Sequence, residues 1–83
     1  MKRSVPDRQD RITLDLRGLK CPLPVLKTRK RLAGEKTGTV LIIETSDPLA
    51  VIDIPHFCHE AGHDLMACEE TPHGHRFTIR KSG

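Results

Sequence analysis

The residue best suited to nucleophilic chemistry is Cys21, which opens a Cys-Pro-x-Pro run with Pro22 and Pro24. Proline is tolerated in the first turn of a helix, because the amide groups there have no intrahelical acceptor. The run therefore predicts a helix that begins at Pro22, with Cys21 as its N-cap. The helix macrodipole and the positive charges of Arg17 and Lys20 would favour an anion there, so we expect more thiolate than in a free cysteine.

The spacing around Cys21 favours a group carried on a single thiol over the chemistry of a dithiol pair. The residue three positions later is Pro24, so the run lacks the second cysteine of a Cys-x-x-Cys dithiol pair. A group transferred to Cys21 would therefore stay there until another molecule removed it. The alternative is a cysteine that acts only as a small apolar residue and caps a buried helix.

The chain has two further cysteines, Cys58 and Cys68. Cys58 falls on the apolar stripe of a predicted helix, and Cys68 lies in a predicted strand. Buried structural cysteine is common, so we interpret both as structural residues.

Three histidines have a spacing that could place them on one face of a helix. His56, His59 and His63 are separated by three and four residues, which makes a metal site one possible interpretation. A glycine is predicted to end the helix before His63, and no carboxylate or cysteine is evidently fixed on that face, so we expect no metal site. His73 and His75 are interpreted as turn and hairpin residues without a role.

Basic residues on the first predicted helix would extend the positive charge near Cys21. Lys27, Lys30 and Arg31 share one face, and the net charge is +3 at pH 7. Such a face can steer acidic partner proteins towards the thiol, whereas a solvated helix face is the alternative. We do not expect direct binding of nucleic acid, because the two aromatic residues, both phenylalanines, have core-like positions and stacking platforms are few.

The apolar periodicity predicts six elements that position these residues. Alternating or continuous β-branched runs predict strands, and helical spacing that ends at Gly34 and at Gly62 predicts helices. In chain order the elements are a strand over 11–16, a helix over 22–33, a strand over 39–45, a helix over 48–61, a strand over 63–70 and a strand over 75–80. Pro55 leaves two possibilities for the second helix, a kink or a fresh helix capped by Asp53.

The order β-α-β-α-β-β predicts an α/β (α+β) fold. Two amphipathic helices on one face of a four-stranded mixed sheet would form a two-layer sandwich that buries both apolar surfaces. From the length of 83 residues we expect a single domain over 11–81 after a flexible N-terminal tail over 1–10. The three cysteines, the absence of an apolar stretch after the basic N-terminus and the short apolar runs predict a cytoplasmic, non-membrane protein.

A run of ten residues from Asp15 to Pro24 resembles the signature of the TusA/SirA-like sulfurtransferases. It reads Asp-Leu-Arg-Gly-Leu-Lys-Cys-Pro-Leu-Pro. Later segments resemble further landmarks of that family and extend the likeness over nearly the whole chain after residue 10. These segments are Asp47-Pro48, Asp53-Ile54-Pro55-x-Phe57-Cys58, Gly62-His63 and Phe77-Thr78-Ile79-Arg80-Lys81.

The resemblance implies the same sandwich and a sulfur relay. In that relay Cys21 accepts persulfide sulfur from a cysteine desulfurase or a rhodanese-like donor and passes it to an acceptor protein. Members of the family serve tRNA thiolation, sulfur oxidation, and cofactor or selenium metabolism, so the resemblance implies a carrier without naming its pathway. We expect no cofactor, and a persulfide carrier in place of a stand-alone multiple-turnover enzyme. A non-catalytic protein-binding or regulatory module of the same fold is the alternative.

Overall fold

Residues 11–82, which the computed structural model describes, form two helices and four strands in the predicted order. The predicted tail over 1–10 lies outside the described residues. The elements are β1 Arg11–Leu16, α1 Leu23–Ala33, β2 Val40–Thr45, α2 Ala50–Ala61, β3 Asp64–Thr71 and β4 Gly74–Arg80. Neither helix is long and apolar enough to cross a membrane.

The four strands form one mixed sheet in the order β1-β2-β4-β3. β1 and β2 run parallel, and β4 is antiparallel to both β2 and β3. Leu16 and Thr45, the last residues of β1 and β2, are partners in register. Since each of these parallel strands is followed by a helix, both helices begin at the same edge of the sheet. This edge carries Cys21.

The core lies between one face of the sheet and the two helices. Leu41 and Ile43 of β2 pair in register with Ile79 and Phe77 of β4, and all four side chains are fully buried. Burial of an apolar side chain of this size stabilises the fold by about 1.5–3 kcal/mol. The helices add the buried side chains Pro24, Thr28, Leu32, Ala50, Ile54, Phe57 and Cys58. The predicted fold class is confirmed.

The second helix runs through Pro55 without a new start. Pro55 lies inside α2, five residues after its first residue, so the alternative of a fresh helix capped by Asp53 is wrong. Proline in a helix interior removes one backbone hydrogen bond. Here Ile54 and Phe57, on either side of Pro55, are buried in the core, and their packing offsets that loss.

The third strand departs from simple alternation. Its register with β4 shifts between Leu65 and Ala67, as at a β-bulge, and Met66 is exposed there. An extra residue in one strand of an antiparallel pair produces such a shift. The predicted strand is thus present, but its uninterrupted alternation is not.

Two close contacts hold the ends of these elements. A Cβ atom added to Gly74 would lie 2.7 Å from Ser46 Cα and closer still to the carbonyl oxygen of Thr45, so the chain requires glycine there. At the opposite end, Lys81 Nζ donates hydrogen bonds to the carbonyl oxygens of Leu32 and Glu35, at 2.7 and 2.8 Å. These carbonyls belong to the last turn of α1 and the loop that follows it, so the charge of Lys81 caps that end.

Candidate functional site

Two loops at the carboxyl edge of β1 and β2 hold Cys21 in place. Gly18 N–H donates to Ser46 Oγ at 2.8 Å, and Cys21 N–H donates to Asp47 Oδ2 at 2.5 Å. The other oxygen of Asp47 accepts a hydrogen bond from Leu49 N–H at 3.1 Å. The Asp47 carboxylate therefore links the loop before α1 to the residue just before α2. This link fixes the backbone at Cys21.

The helix after Cys21 begins later than the sequence predicts. Its first residue is Leu23 and its N-cap is Pro22, so the prediction that Cys21 is the N-cap is wrong. Leu23 N–H donates to the carbonyl of Lys20 at 2.8 Å, which closes a turn that Cys21 and Pro22 occupy. This turn places Cys21 one residue outside the cap. Pro24 lies in the first turn of the helix, as the sequence predicts, and its side chain is buried.

The sulfur of Cys21 contacts a carboxylate. Cys21 Sγ donates a hydrogen bond to Asp53 Oδ2 at 2.8 Å. This hydrogen bond raises the pKa of the Cys21 thiol, and partial desolvation and the charges of Asp53 and Asp47 add to the rise. The prediction of an enlarged thiolate fraction is therefore wrong for the resting protein. The physical reason is that tertiary structure brings two carboxylates of the second half of the chain to this cysteine.

The two cations predicted to tune the thiol do not outweigh those carboxylates. Arg17 forms an ion pair with Asp15, with Nε to Oδ1 at 2.8 Å, and this pairing lowers the pKa of Asp15 to about 2. The charge of Arg17 is thus largely balanced by its neighbour. Lys20 is exposed beside Cys21, and its influence on the sulfur stays a prediction.

An open cavity of about 560 Å³ lies beside Cys21, between α1 and α2. Arg29 lines it, and its guanidinium lies 5.6 Å from the ring centroid of Phe57, within range of a cation–π contact. The four-residue spacing of Cys21, Val25 and Arg29 is a signal from which this residue was predictable. The complete lining is Cys21, Pro22, Val25, Arg29, Asp53, His56, Phe57, Glu60 and Ala61.

The basic residues predicted to extend the field around Cys21 lie elsewhere. Lys27, Lys30 and Arg31 line a second groove, about 350 Å³ in volume, with Leu14 and Leu16 of β1. Arg31 Nε also pairs with Glu35 at 3.1 Å. The three residues do share a surface, but it is on the β1 side of α1, whereas Cys21 faces α2. None of these three residues lines the cavity beside Cys21, because residues 27, 30 and 31 project from the side of the helix opposite to residues 25 and 29. Their effect on the charge around Cys21 stays a prediction.

The remaining cysteines differ from each other. Cys58 is 2% exposed, and desolvation by burial raises its pKa to about 11. Its interpretation as a structural residue fits this burial. Cys68 is exposed on β3 and pairs in register with Phe77.

The histidines do not converge. His56 lines the cavity beside Cys21, whereas His63 follows the end of α2 and accepts a hydrogen bond from Ser82 N–H at its Nδ1 atom, at 3.2 Å. His73 lies in the turn between β3 and β4, and His75 pairs in register with Thr45. Residues 11–82 contain no group of three or more histidine, cysteine or acidic side chains arranged to hold a metal ion.

Comparison with known proteins gives two matches over this fold. The family described as "Sulfurtransferase TusA" matches residues 12–81, which is most of the chain. Among solved structures, a SirA-like protein from Desulfitobacterium hafniense superposes with a TM-score of 0.72. The two sequences are 23% identical, and the match covers 87% of this chain and 97% of the other. This second likeness supports the fold.

Proposed function

The chain belongs to the TusA sulfurtransferase family, whose members carry sulfur, and from this premise we propose that Cys21 carries the sulfur as a persulfide. The observation that supports the proposal most directly is the position of the thiol. Cys21 is exposed at the mouth of an open cavity, on a backbone fixed by Asp47. A sulfur atom placed there can be reached by a second protein without any opening of the fold.

The reaction is a nucleophilic transfer of one neutral sulfur atom. The Cys21 sulfur attacks the outer sulfur of a donor persulfide, a new S–S bond forms on Cys21, and the S–S bond of the donor breaks. The electron pair of the broken bond leaves with the donor as a thiolate, which takes up the proton lost by Cys21. No external oxidant or reductant is required.

The donor in this proposal is a cysteine desulfurase or a rhodanese-like protein, and the acceptor is another sulfur-relay protein, in tRNA thiolation or a related sulfur-trafficking pathway. The surface offers two kinds of contact for such partners. Leu23, Leu49 and Ile52 are 42%, 50% and 63% exposed near the start of the two helices, where apolar area is available for burial. Three free cysteines among the described residues fit a reducing compartment, and we place the protein in the cytoplasm.

The basic groove on the other side of α1 is the second contact. Lys27, Lys30 and Arg31 present positive charge around apolar Leu14 and Leu16. An acidic partner surface would be steered towards α1 by these charges before the apolar contacts form. In this arrangement the groove acts on the rate of encounter, whereas the apolar rim near Cys21 aligns the sulfur atoms.

Sulfur loading can be tested by intact mass spectrometry. The protein is incubated with a purified cysteine desulfurase and cysteine, and we expect a mass increase of one sulfur atom that disappears in the Cys21→Ser variant. Cys68→Ser is the matched control, because Cys68 is also an exposed free thiol. It should load like the wild type. A sulfur adduct that persists in Cys21→Ser, or no adduct on the wild type, would contradict the proposal.

One observation favours a second function, that of a non-catalytic protein-binding module. The hydrogen bond from the Cys21 thiol to Asp53 raises the pKa of the thiol, and a higher pKa would slow its reaction with small electrophiles. A binding module predicts that Cys21→Ala retains full affinity for its partner while the wild type takes up no sulfur. A carrier predicts a sulfur adduct on the wild type and loss of onward sulfur transfer in Cys21→Ala.

A further inference from the structure

The Cys21 sulfur is surrounded by more charged groups than it contacts. Asp53 Oδ2 is its hydrogen-bond partner, at 2.8 Å, in the described part of the chain. The other charged or titratable side chains that line the cavity are Arg29 of α1 and His56 and Glu60 of α2, while Asp47 of the β2–α2 loop accepts a hydrogen bond from the backbone of Cys21. Lys20 precedes Cys21 in sequence and is exposed, and Arg17 is paired with Asp15. Asp53 is thus the group that responds directly to a change in the chemical state of the sulfur.

We propose that Asp53 sets the direction of sulfur transfer by stabilising the emptied Cys21 relative to the loaded Cys21. This inference rests on the proposed carrier function and deepens it. Asp53 accepts a hydrogen bond from the emptied Cys21 thiol, whereas its negative charge repels the loaded, anionic persulfide.

In the emptied state the thiol donates its proton to the Asp53 carboxylate. A hydrogen bond to an ionised acceptor is among the stronger kinds, and it exists only while the sulfur carries a proton. This contact therefore lowers the free energy of the protein after it has released its sulfur.

In the loaded state the Asp53 carboxylate lies next to a persulfide, and this interaction is unfavourable. A persulfide is a stronger acid than the thiol from which it forms, so its outer sulfur is an anion at neutral pH. An anion has no proton to donate to Asp53, and the like charges of Asp53 and Asp47 disfavour it. Both effects shift the equilibrium towards release.

The release step balances without a further reactant. The sulfur of an acceptor thiol attacks the outer sulfur of the Cys21 persulfide, the S–S bond at Cys21 breaks, and its electron pair stays on the Cys21 sulfur. The proton of the acceptor thiol ends on Cys21, where it forms the hydrogen bond to Asp53. One sulfur atom, one proton and one negative charge are conserved across the exchange.

The experiment measures an equilibrium constant, so it does not depend on how fast the thiol reacts. Wild type and Asp53→Asn are each equilibrated with glutathione persulfide and glutathione at several fixed ratios. The loaded fraction of Cys21 is then read by intact mass spectrometry after alkylation. Glu60→Gln is the matched control, because Glu60 lines the same cavity, whereas the hydrogen bond of the sulfur goes to Asp53. Asp53→Ser is a separate variant that also removes the carboxylate.

We expect Asp53→Asn and Asp53→Ser to shift the equilibrium towards the loaded state by on the order of tenfold, the size of one pKa unit for an exposed group. Glu60→Gln should stay close to wild type. An unchanged constant in both Asp53 variants, or an equal shift in Glu60→Gln, would overturn the role of Asp53 and leave the carrier function standing. Absence of sulfur on Cys21 in every protein would instead overturn the proposed function.

Discussion

At the scale of single residues, the contact between Cys21 and Asp53 decides the acid–base behaviour of the site. The hydrogen bond raises the pKa of the thiol in the folded protein. Folding therefore favours the protonated form. The stability gained in this way is present below the pKa of the unfolded chain, and it is lost as the pH rises through the higher pKa of the folded state.

This contact predicts a specific pH profile of alkylation. The rate of reaction of Cys21 with iodoacetamide should rise at higher pH in the native protein than in the chain unfolded by urea. In Asp53→Asn the native midpoint should fall, because the acceptor charge is gone, and reaction at neutral pH should be several-fold faster. Mass spectrometry of the peptide that contains Cys21 separates its reaction from that of the other cysteines. A native midpoint at or below that of the unfolded chain would contradict the contact.

The two remaining cysteines predict opposite tolerance to substitution. Cys58→Ser places a hydroxyl group at a position that is 2% exposed, and we expect a loss of about 1–3 kcal/mol in the free energy of unfolding. Cys68→Ser, at an exposed position of β3, should change it by about 0.5 kcal/mol or less. Urea unfolding followed by circular dichroism measures both values. Equal losses would mean that burial does not distinguish the two positions.

At the scale of elements, the approach of β4 to β2 explains the glycine at the start of the hairpin's second strand. Gly74→Ala would force a Cβ atom into the backbone of Thr45 and Ser46, so we expect a loss of about 2 kcal/mol or more. Gly34→Ala is the matched control. A Cβ atom there would lie 3.8 Å from the carbonyl oxygen of Arg31, an ordinary contact, and the stability should change little. Thermal unfolding of the two variants makes the comparison, and a tolerated Gly74→Ala would refute it.

The end of α1 depends on a residue that is distant in sequence. Lys81→Met should lower the free energy of unfolding by about 1–3 kcal/mol, because two carbonyl groups lose a charged donor. Lys36→Met removes the same charge from an exposed position in the loop after α1 and serves as the control. Hydrogen exchange should also become faster near the end of α1 in Lys81→Met. If the two variants unfolded alike, the capping role of Lys81 would be excluded.

At the scale of the whole molecule, the two sides of α1 have separate tasks in the proposed function. Replacing Lys27 and Lys30 by glutamate should slow association with an acidic sulfur donor by about tenfold at low salt, and added salt should reduce the difference. Surface plasmon resonance at several salt concentrations measures this rate. Alkylation of Cys21 should be unaffected, since the two residues lie in the other groove. A rate independent of these charges would remove the basic groove from partner docking.

The sequence predicts the fold well because the signals that determine it are local. Alternation in β1, the β-branched run of β2 and the glycines at 34 and 62 each specify an element without reference to the rest of the chain. The helix start at Cys21 was less predictable, because a turn closed by Lys20 and Leu23 competes with the N-cap that the prolines favour.

In the candidate site, the sequence predicts the thiol but not the carboxylates that act on it. Cys21 stands out from its neighbours in sequence, but Asp47 and Asp53 reach it from 26 and 32 residues away. In the sequence these two aspartates read as residues at the beginning of a helix. Their effect on the thiol depends on the parallel pairing of β1 and β2, which brings both helix starts together. The direction of the pKa shift of Cys21 therefore could not be predicted from the residues near it in sequence.

The open mouth of the cavity beside Cys21 has a consequence for the proposed sulfur cargo. A sulfur atom carried there would be exposed to small thiols in solution as well as to the intended recipient. Delivery would then depend on kinetic competition, in which the recipient protein has to react with the sulfur before free metabolite thiols do. Accuracy in such a relay is a property of the pair of proteins, and the carrier alone does not possess it.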